Sequence, residues 1–303
     1  MVELSVDLGF LKLKNPVIAA SGTFGYGLEF RPFYDLNLLG GFVVKGLYFN
    51  PREGNNPPRL VETSSGLINS IGLQGIGVEA FCRDVLPELT NLRTAIIVNV
   101  CGQDEDEYAR VAEYLSQPKG IAALELNISC PNVREGGRCP AQNPESTFRI
   151  IEKVKKVSSL PVITKLSPNV TDITEVALAA EQAGSQALSL INTLLAMAVD
   201  LETRKPRLGN VLGGLSGPAI KPVALRMVFQ VCRLVKIPVI GIGGIFTAED
   251  AMEFMMAGAS AVQVGTANFV DPDACPKIIR DIESWAEKHN IKKISEIIGC
   301  LEV

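Results

Sequence analysis

The sequence predicts an α/β protein of the closed (β/α)8, or TIM, barrel class, and three observations carry that prediction. Eight short runs rich in Val, Ile and Leu recur along 303 residues. Most are separated by stretches whose apolar residues repeat at helical spacing. No Pro/Gly/Ser-rich linker divides the chain, so 1–303 is expected to form a single barrel domain. A doubly wound sheet of the same alternating elements is the other arrangement the pattern allows.

The opening LSVDLGFLKLKNP reads as a hairpin covering one barrel mouth. The eight expected strands are 16–20, 41–44, 95–98, 122–126, 162–164, 187–190, 239–242 and 261–264. Their near-continuous apolar composition suits strands buried on both faces. Helical periodicity covers 105–115, 144–157, 172–183, 220–235 and 248–257. Thr247, with Asp250 three residues on, reads as an N-cap and therefore as structural. Strand starts lie about 25 residues apart in several units, but 41 to 95 and 187 to 239 span more than one βα unit needs. Each long interval holds an insertion, NPREGNNPPRLVETSSGLINSIGLQG in the first and TRKPRLGNVLGGLSGPAIKP in the second. Both are dense in Gly, Pro and Asn, as befits extended loops over a binding face.

Composition narrows the function. Hydrophobic residues make up 47% and charged residues 20%, enough apolar surface for a full core. Lys plus Arg number 29 against 33 Asp plus Glu, and no basic run tracks a phosphate backbone, so nucleic acid is not an expected partner. The longest apolar stretch, 187–199, is broken by Ser189, Asn192 and Thr193 and is too short to span a bilayer. The N-terminus lacks the basic start and apolar run of a signal peptide, so a soluble cytoplasmic enzyme is expected. The seven cysteines are odd in number and none is spaced C-x-x-C, so neither a disulfide framework nor a zinc or iron–sulfur site is expected. The single histidine, His289, sits in the charged segment SWAEKHNIKK, away from every strand end. A Ser-His-Asp hydrolase or a histidine metal site would need one at the mouth, so any acid–base group must be something else.

In a barrel, residues just after the strands converge on one mouth. Here they are Ser21, Lys45, Asn99, Asn127 with Ser129 and Cys130, Lys165, Asn192 with Thr193, Gly243-Gly244, and Gly265-Thr266. Any one Asn is as well read as a strand-end cap, but five Asn and Lys together favour a ligand. The glycine pairs follow strands seven and eight, where barrels often hold phosphate on exposed backbone N–H groups. Turns need glycine anyway, so the strand assignment rather than the glycine carries that reading. Cys130 alone among the cysteines joins a strand end to amide side chains, the setting of a thiol that exchanges protons rather than core filler. Cys139, in the Gly-rich loop that follows, is its rival.

Seven segments in order, NSIGLQG (69–75), LELNISCPNV (124–133), TKLSPNVTDI (164–173), LSLINT (188–193), GGLSGPAIKP (213–222), GIGGI (241–245) and VQVGTANF (262–269), resemble the class 1 dihydroorotate dehydrogenases. The cysteine in NISCPNV and the run VDPDACPKII resemble the NAD-linked B-type branch. The resemblance implies a barrel that holds FMN and oxidises dihydroorotate to orotate in pyrimidine synthesis. By similarity Cys130 is the general base that removes a C5 proton while hydride leaves C6 for the flavin. Lys45, Asn69, Ser70, Ile71, Gly72, Leu73, Asn127, Asn192 and Thr193 would contact substrate. Ser21, Lys45, Gly46, Asn99, Asn127, Lys165, Ile191, Gly217, Gly243, Gly244, Gly265 and Thr266 would bind FMN, with the last four at the phosphate and Lys165 stabilising negative charge on the reduced ring. The resemblance also implies a homodimer joined by a second subunit carrying FAD and a [2Fe–2S] cluster, a heterotetramer that delivers electrons to NAD+. The loop GGRCPAQNP (136–144) departs from the family in Arg138 and Cys139. Two other readings share parts of this pattern: another FMN barrel acting on a dihydropyrimidine or dihydrouridine, and a flavin-free barrel gripping a ligand's own phosphate.

Overall fold

The computed structural model describes residues 2–129 and 142–303. Eight strands, β1 (Val17–Ala19), β2 (Gly41–Leu47), β3 (Ala95–Val100), β4 (Ala123–Asn127), β5 (Val162–Leu166), β6 (Ala187–Leu190), β7 (Val239–Ile242) and β8 (Ala261–Val264), close into a barrel. Every pairing around the ring is parallel, including β8 with β1, where Val262 stands opposite Val17. Closure leaves no open sheet edge, which excludes the doubly wound alternative.

The strands are buried along almost their whole length because helices cover the outer face. Those helices are α1 (Glu105–Leu115), α2 (Pro144–Val157), α3 (Ile173–Gln182), α4 (Lys221–Cys232), α5 (Ala248–Met256) and α6 (Ala274–Lys288). Their starts follow from local chemistry. The Asp104 carboxylate accepts from the Glu107 N–H at 2.8 Å, and Asp172 does the same for Thr174 at 2.9 Å. Asn143 caps α2 ahead of Pro144, whose missing N–H costs nothing in the first turn. Thr247 and Asp250 bond reciprocally at the start of α5, the structural role expected of Thr247. The helix expected over 220–235 is shorter, beginning at Lys221 after a 3-10 turn over Pro218–Ile220 and ending at Cys232.

Between β2 and β3 lies a further helical stretch, Val78–Ala80, Phe81–Val85 and Leu86–Leu89, its middle part a π-turn. Its buried Val78, Phe81, Leu86 and Leu89 depart from an even 3.6-residue stripe. Pro87 adds to the irregularity, and the sequence pattern gave no helix there.

Val6–Asp7 and Lys12–Leu13 form the expected N-terminal hairpin and bury Val6, Leu8 and Leu13 in the main core. Asn15, just past the hairpin, donates to the Leu38 carbonyl and accepts from the Gly40 N–H, fixing it where β2 begins. At the other end the two insertions build one antiparallel sheet in the order Leu194–Met197, Leu212–Ser216, Gly66–Asn69, Leu60–Thr63. Gly214 pairs with Asn69 and Ser216 with Leu67, so segments remote in sequence form one cap. Among the described residues no helix is long and apolar enough to cross a membrane.

Candidate active site

A cavity of about 340 Å³ lies at the C-terminal ends of the strands, within the size range of small-molecule sites. It is lined by Ser21, Lys45, Gly46, Asn69, Ile71, Leu73, Asn99, Asn127, Lys165, Ile191, Asn192, Thr193, Gly217, Gly243, Gly244, Gly265 and Thr266. Ser70 and Gly72 point elsewhere. Ser70 accepts from the Asn55 side chain at 3.0 Å, and a Cβ on Gly72 would stand 2.5 Å from the Asn55 backbone nitrogen. The 69–73 block thus divides by alternation, with Asn69, Ile71 and Leu73 turned to the cavity and the two residues between them turned to the loop behind. Cys130, together with Arg138 and Cys139, lies outside the described residues.

The cavity has a polar floor. Asn127 donates to the Asn99 carbonyl oxygen at 3.4 Å, and Asn192 donates to the Asn127 carbonyl oxygen at 3.3 Å. Asn192 in turn accepts from the Thr193 N–H at 2.8 Å. Tyr108, from α1, donates its hydroxyl proton to the Asn127 backbone carbonyl at 2.6 Å and pins the end of β4. Below the amides lies Glu125, fully buried on β4 two residues before Asn127 and therefore on the same inward face. The Asn99 amide donates to its Oε1 at 2.8 Å, and Lys165 Nζ stands 3.8 Å from the same oxygen.

Two cations border the cavity from β2 and the first insertion. Burial lowers the Lys45 pKa below the ordinary lysine value and Arg59 lowers it further, against the opposing pull of Glu29. Arg59, which the sequence reading did not select, donates to the Gln74 carbonyl oxygen at 2.8 Å and to the Glu53 backbone carbonyl at 3.2 Å. Nothing marked it beyond a place in a Pro-rich loop. A further cation, Lys221, is held away from the cavity by Asp250 at 2.6 Å and Glu253 at 3.0 Å, which raise its pKa.

The opposite wall is made of backbone. Gly244 has φ +74°, and a Cβ there would meet Lys221 Cβ at 2.7 Å and the Gly217 carbonyl oxygen at 3.0 Å. At Gly265, which lines the cavity, a Cβ would meet Ala20 Cβ at 3.8 Å, an ordinary contact. Thr266 Oγ1 donates to Ser216 Oγ at 2.8 Å and joins this wall to the cap. Small residues and side-chain hydroxyls on one side, with amides and ammonium groups on the other, suit a ligand with an anionic end and a planar, hydrogen-bonding end.

The chain matches the Dihydroorotate dehydrogenase family profile over residues 3–285. It is 53% identical to the protein named Dihydroorotate dehydrogenase B (NAD(+)), catalytic subunit, of Geobacter sp. strain M21, over 99% of each chain. The protein of the same name from Trichlorobacter lovleyi is 54% identical over 99% of this chain and 98% of its own. That from Bacteroides fragilis strain YCH46 is 51% identical over the full length of both. The barrel, the amide floor and these relatives agree: the chain belongs to the dihydroorotate dehydrogenase family.

Proposed function

We propose that this chain oxidises dihydroorotate to orotate in pyrimidine synthesis, with FMN in the cavity and NAD+ as final acceptor through a partner subunit. The observation that carries the reading is the division of the cavity into a glycine wall and an amide floor. Gly243, Gly244, Gly265 and Thr266 would hold the FMN phosphate, where glycine lets an anion approach the backbone, and Gly217 would also contact FMN. Ser21, Gly46, Asn99, Lys165 and Ile191 would hold the ring system, and the bound flavin supplies the hydride acceptor.

The protein's own part is to bind, orient and move one proton. Asn69, Asn127, Asn192 and Thr193 offer both donors and acceptors, the pattern a pyrimidine edge requires. Lys45 adds positive charge for the substrate carboxylate and the flavin. Ile71 and Leu73 give an apolar side to the same space. Cys130 is the proposed base, because it directly follows the β4 end that carries Asn127. Ser70 and Gly72 would support the substrate loop from behind, through Asn55.

The relatives' name, catalytic subunit, supports a partner, which we propose carries FAD and a [2Fe–2S] cluster in a heterotetramer built on a dimer of this chain. A soluble cytoplasmic complex working on the 1–303 barrel as one unit completes the proposal. The test is to release and identify the chromophore of purified protein, then add dihydroorotate, dihydrouracil or dihydrothymine without oxygen. Released FMN and bleaching by dihydroorotate alone are expected. Equal bleaching by the neutral dihydropyrimidines would overturn the substrate assignment, and a colourless protein would overturn the flavin.

A further inference from the structure

Glu125 is a fully buried carboxylate in the barrel interior, and its two oxygens have different partners. Oε2 accepts from Ser189 Oγ of β6 at 2.9 Å and from Gln263 Nε2 of β8 at 2.6 Å. Both donors are themselves fully buried, and neither lines the cavity. Oε1 faces the two cavity residues, Asn99 of β3 at 2.8 Å and Lys165 of β5 at 3.8 Å. One oxygen is thus anchored to two strands across the barrel interior, and the other holds two groups of the site.

The chemistry of the acceptor gives this arrangement a direction. An ionised carboxylate only accepts, so Asn99 must turn its NH2 toward Glu125 and its carbonyl oxygen toward Asn127. Asn127 then presents its own carbonyl oxygen to Asn192. Lys165 is nearly buried, and among the described residues its one ion-pair partner is Glu125. In a low-dielectric interior the net field of that ammonium at the cavity depends on the charge paired with it.

We infer that Glu125 is a positioning residue of the site: from its anchored oxygen it fixes Lys165 and Asn99, and its charge sets how strongly Lys165 favours an electron-rich ligand. This rests on the flavin reading above and adds to it a residue that touches neither flavin nor substrate. Its consequence is directional. Glu125→Gln keeps the shape, removes the opposing charge, and leaves Lys165 to stabilise reduced flavin more strongly.

The experiment is an anaerobic redox titration of the bound flavin in wild type, Glu125→Gln and Ser189→Ala. Glu125→Gln is expected to shift the equilibrium toward reduced flavin at least tenfold, about 30 mV for a two-electron couple. Ser189→Ala removes an anchor without changing charge, and its potential is expected to stay within that interval of wild type. An unmoved potential in flavin-loaded Glu125→Gln, or an equal shift in Ser189→Ala, would overturn the inference.

Melting temperatures decide the case if Glu125→Gln loses its flavin or the wild type has none. Lys165→Gln strands a buried carboxylate, so adding Glu125→Gln is expected to raise its melting temperature. Additive losses in the double variant would overturn the pairing. Wild-type protein that carries no flavin would end the proposed function while leaving this melting test intact.

Discussion

The side-chain amide of Asn69 donates to the backbone carbonyl of Gly214 at 3.2 Å and ties the first insertion to the second at the edge of the cavity. The same two residues face each other in the cap sheet. A methyl group on Gly214 would stand 2.0 Å from Thr193 Oγ1, so the cap leaves no room for a larger residue there. Gly214→Ala is therefore expected to displace Thr193 and raise KM for dihydroorotate about tenfold, roughly 1.4 kcal/mol. Flavin content should stay near normal, since Gly243, Gly244 and Gly265 follow other strands. Steady-state kinetics with absorbance spectra check both, and unchanged KM would detach Thr193 from substrate.

Gly244→Ala and Thr247→Ala separate the wall from the scaffold within a few residues of each other. The first puts a Cβ against Lys221 and Gly217 at positive φ and is expected to yield protein with less than half the wild-type flavin. The second removes only the α5 cap, with an expected cost of ~1 kcal/mol in stability and normal flavin content. Flavin-to-protein absorbance ratios and denaturant melts distinguish the two outcomes.

Lys45 links pH to stability. Its folded pKa is lowered, chiefly by burial, so the unfolded chain holds that proton more tightly. Stability then rises with pH between the lowered folded value and the ordinary value, and at neutral pH the fold carries a charge it disfavours. Without substrate or product, Lys45→Met is expected to melt higher than wild type at pH 7. That advantage should shrink as pH approaches the ordinary lysine value, while turnover falls. Scanning fluorimetry at pH 7 and pH 10 reads the sign, and a lower melting temperature at pH 7 would show that Lys45 stabilises the empty site.

Thiol chemistry singles out the proposed base. Burial pushes Cys82 up to about 11, Cys232 up to about 12 and Cys275 higher still, so none is nucleophilic near neutrality. Cys300 is exposed and serves as an internal reference. In Cys139→Ser protein, which removes the rival thiol of the same loop, alkylation at pH 7.5 is expected to modify Cys130 and Cys300, with orotate protecting only Cys130. Cys130→Ala should keep its flavin and lose about 10²-fold or more in turnover. Full turnover in that variant would remove the cysteine as base.

The barrel was legible because eight apolar runs alternate with stretches of helical periodicity, and both signals are local; of the caps only Thr247 was read from the sequence, although Asp104 and Asp172 also act through neighbours two or three residues away. The strand-end residues were legible for the same reason, since a parallel barrel sends them all to one mouth. The cap sheet was hidden because Asn69 and Gly214 pair across 145 residues and no local pattern encodes that register. Glu125 left a sign that went unread: a charged residue inside LELN, in step with Asn127, must be buried and so must have partners. Its anchors, Ser189 and Gln263, lie inside apolar strands where a lone polar residue attracts no notice, and only barrel closure brings them together.

The most direct test of the central claim is a single-turnover experiment: purified protein mixed with excess dihydroorotate without oxygen, with flavin absorbance and orotate measured in the same sample. One orotate formed per flavin bleached is the expected result. Orotate-free bleaching, or an intact flavin spectrum after mixing, would contradict it.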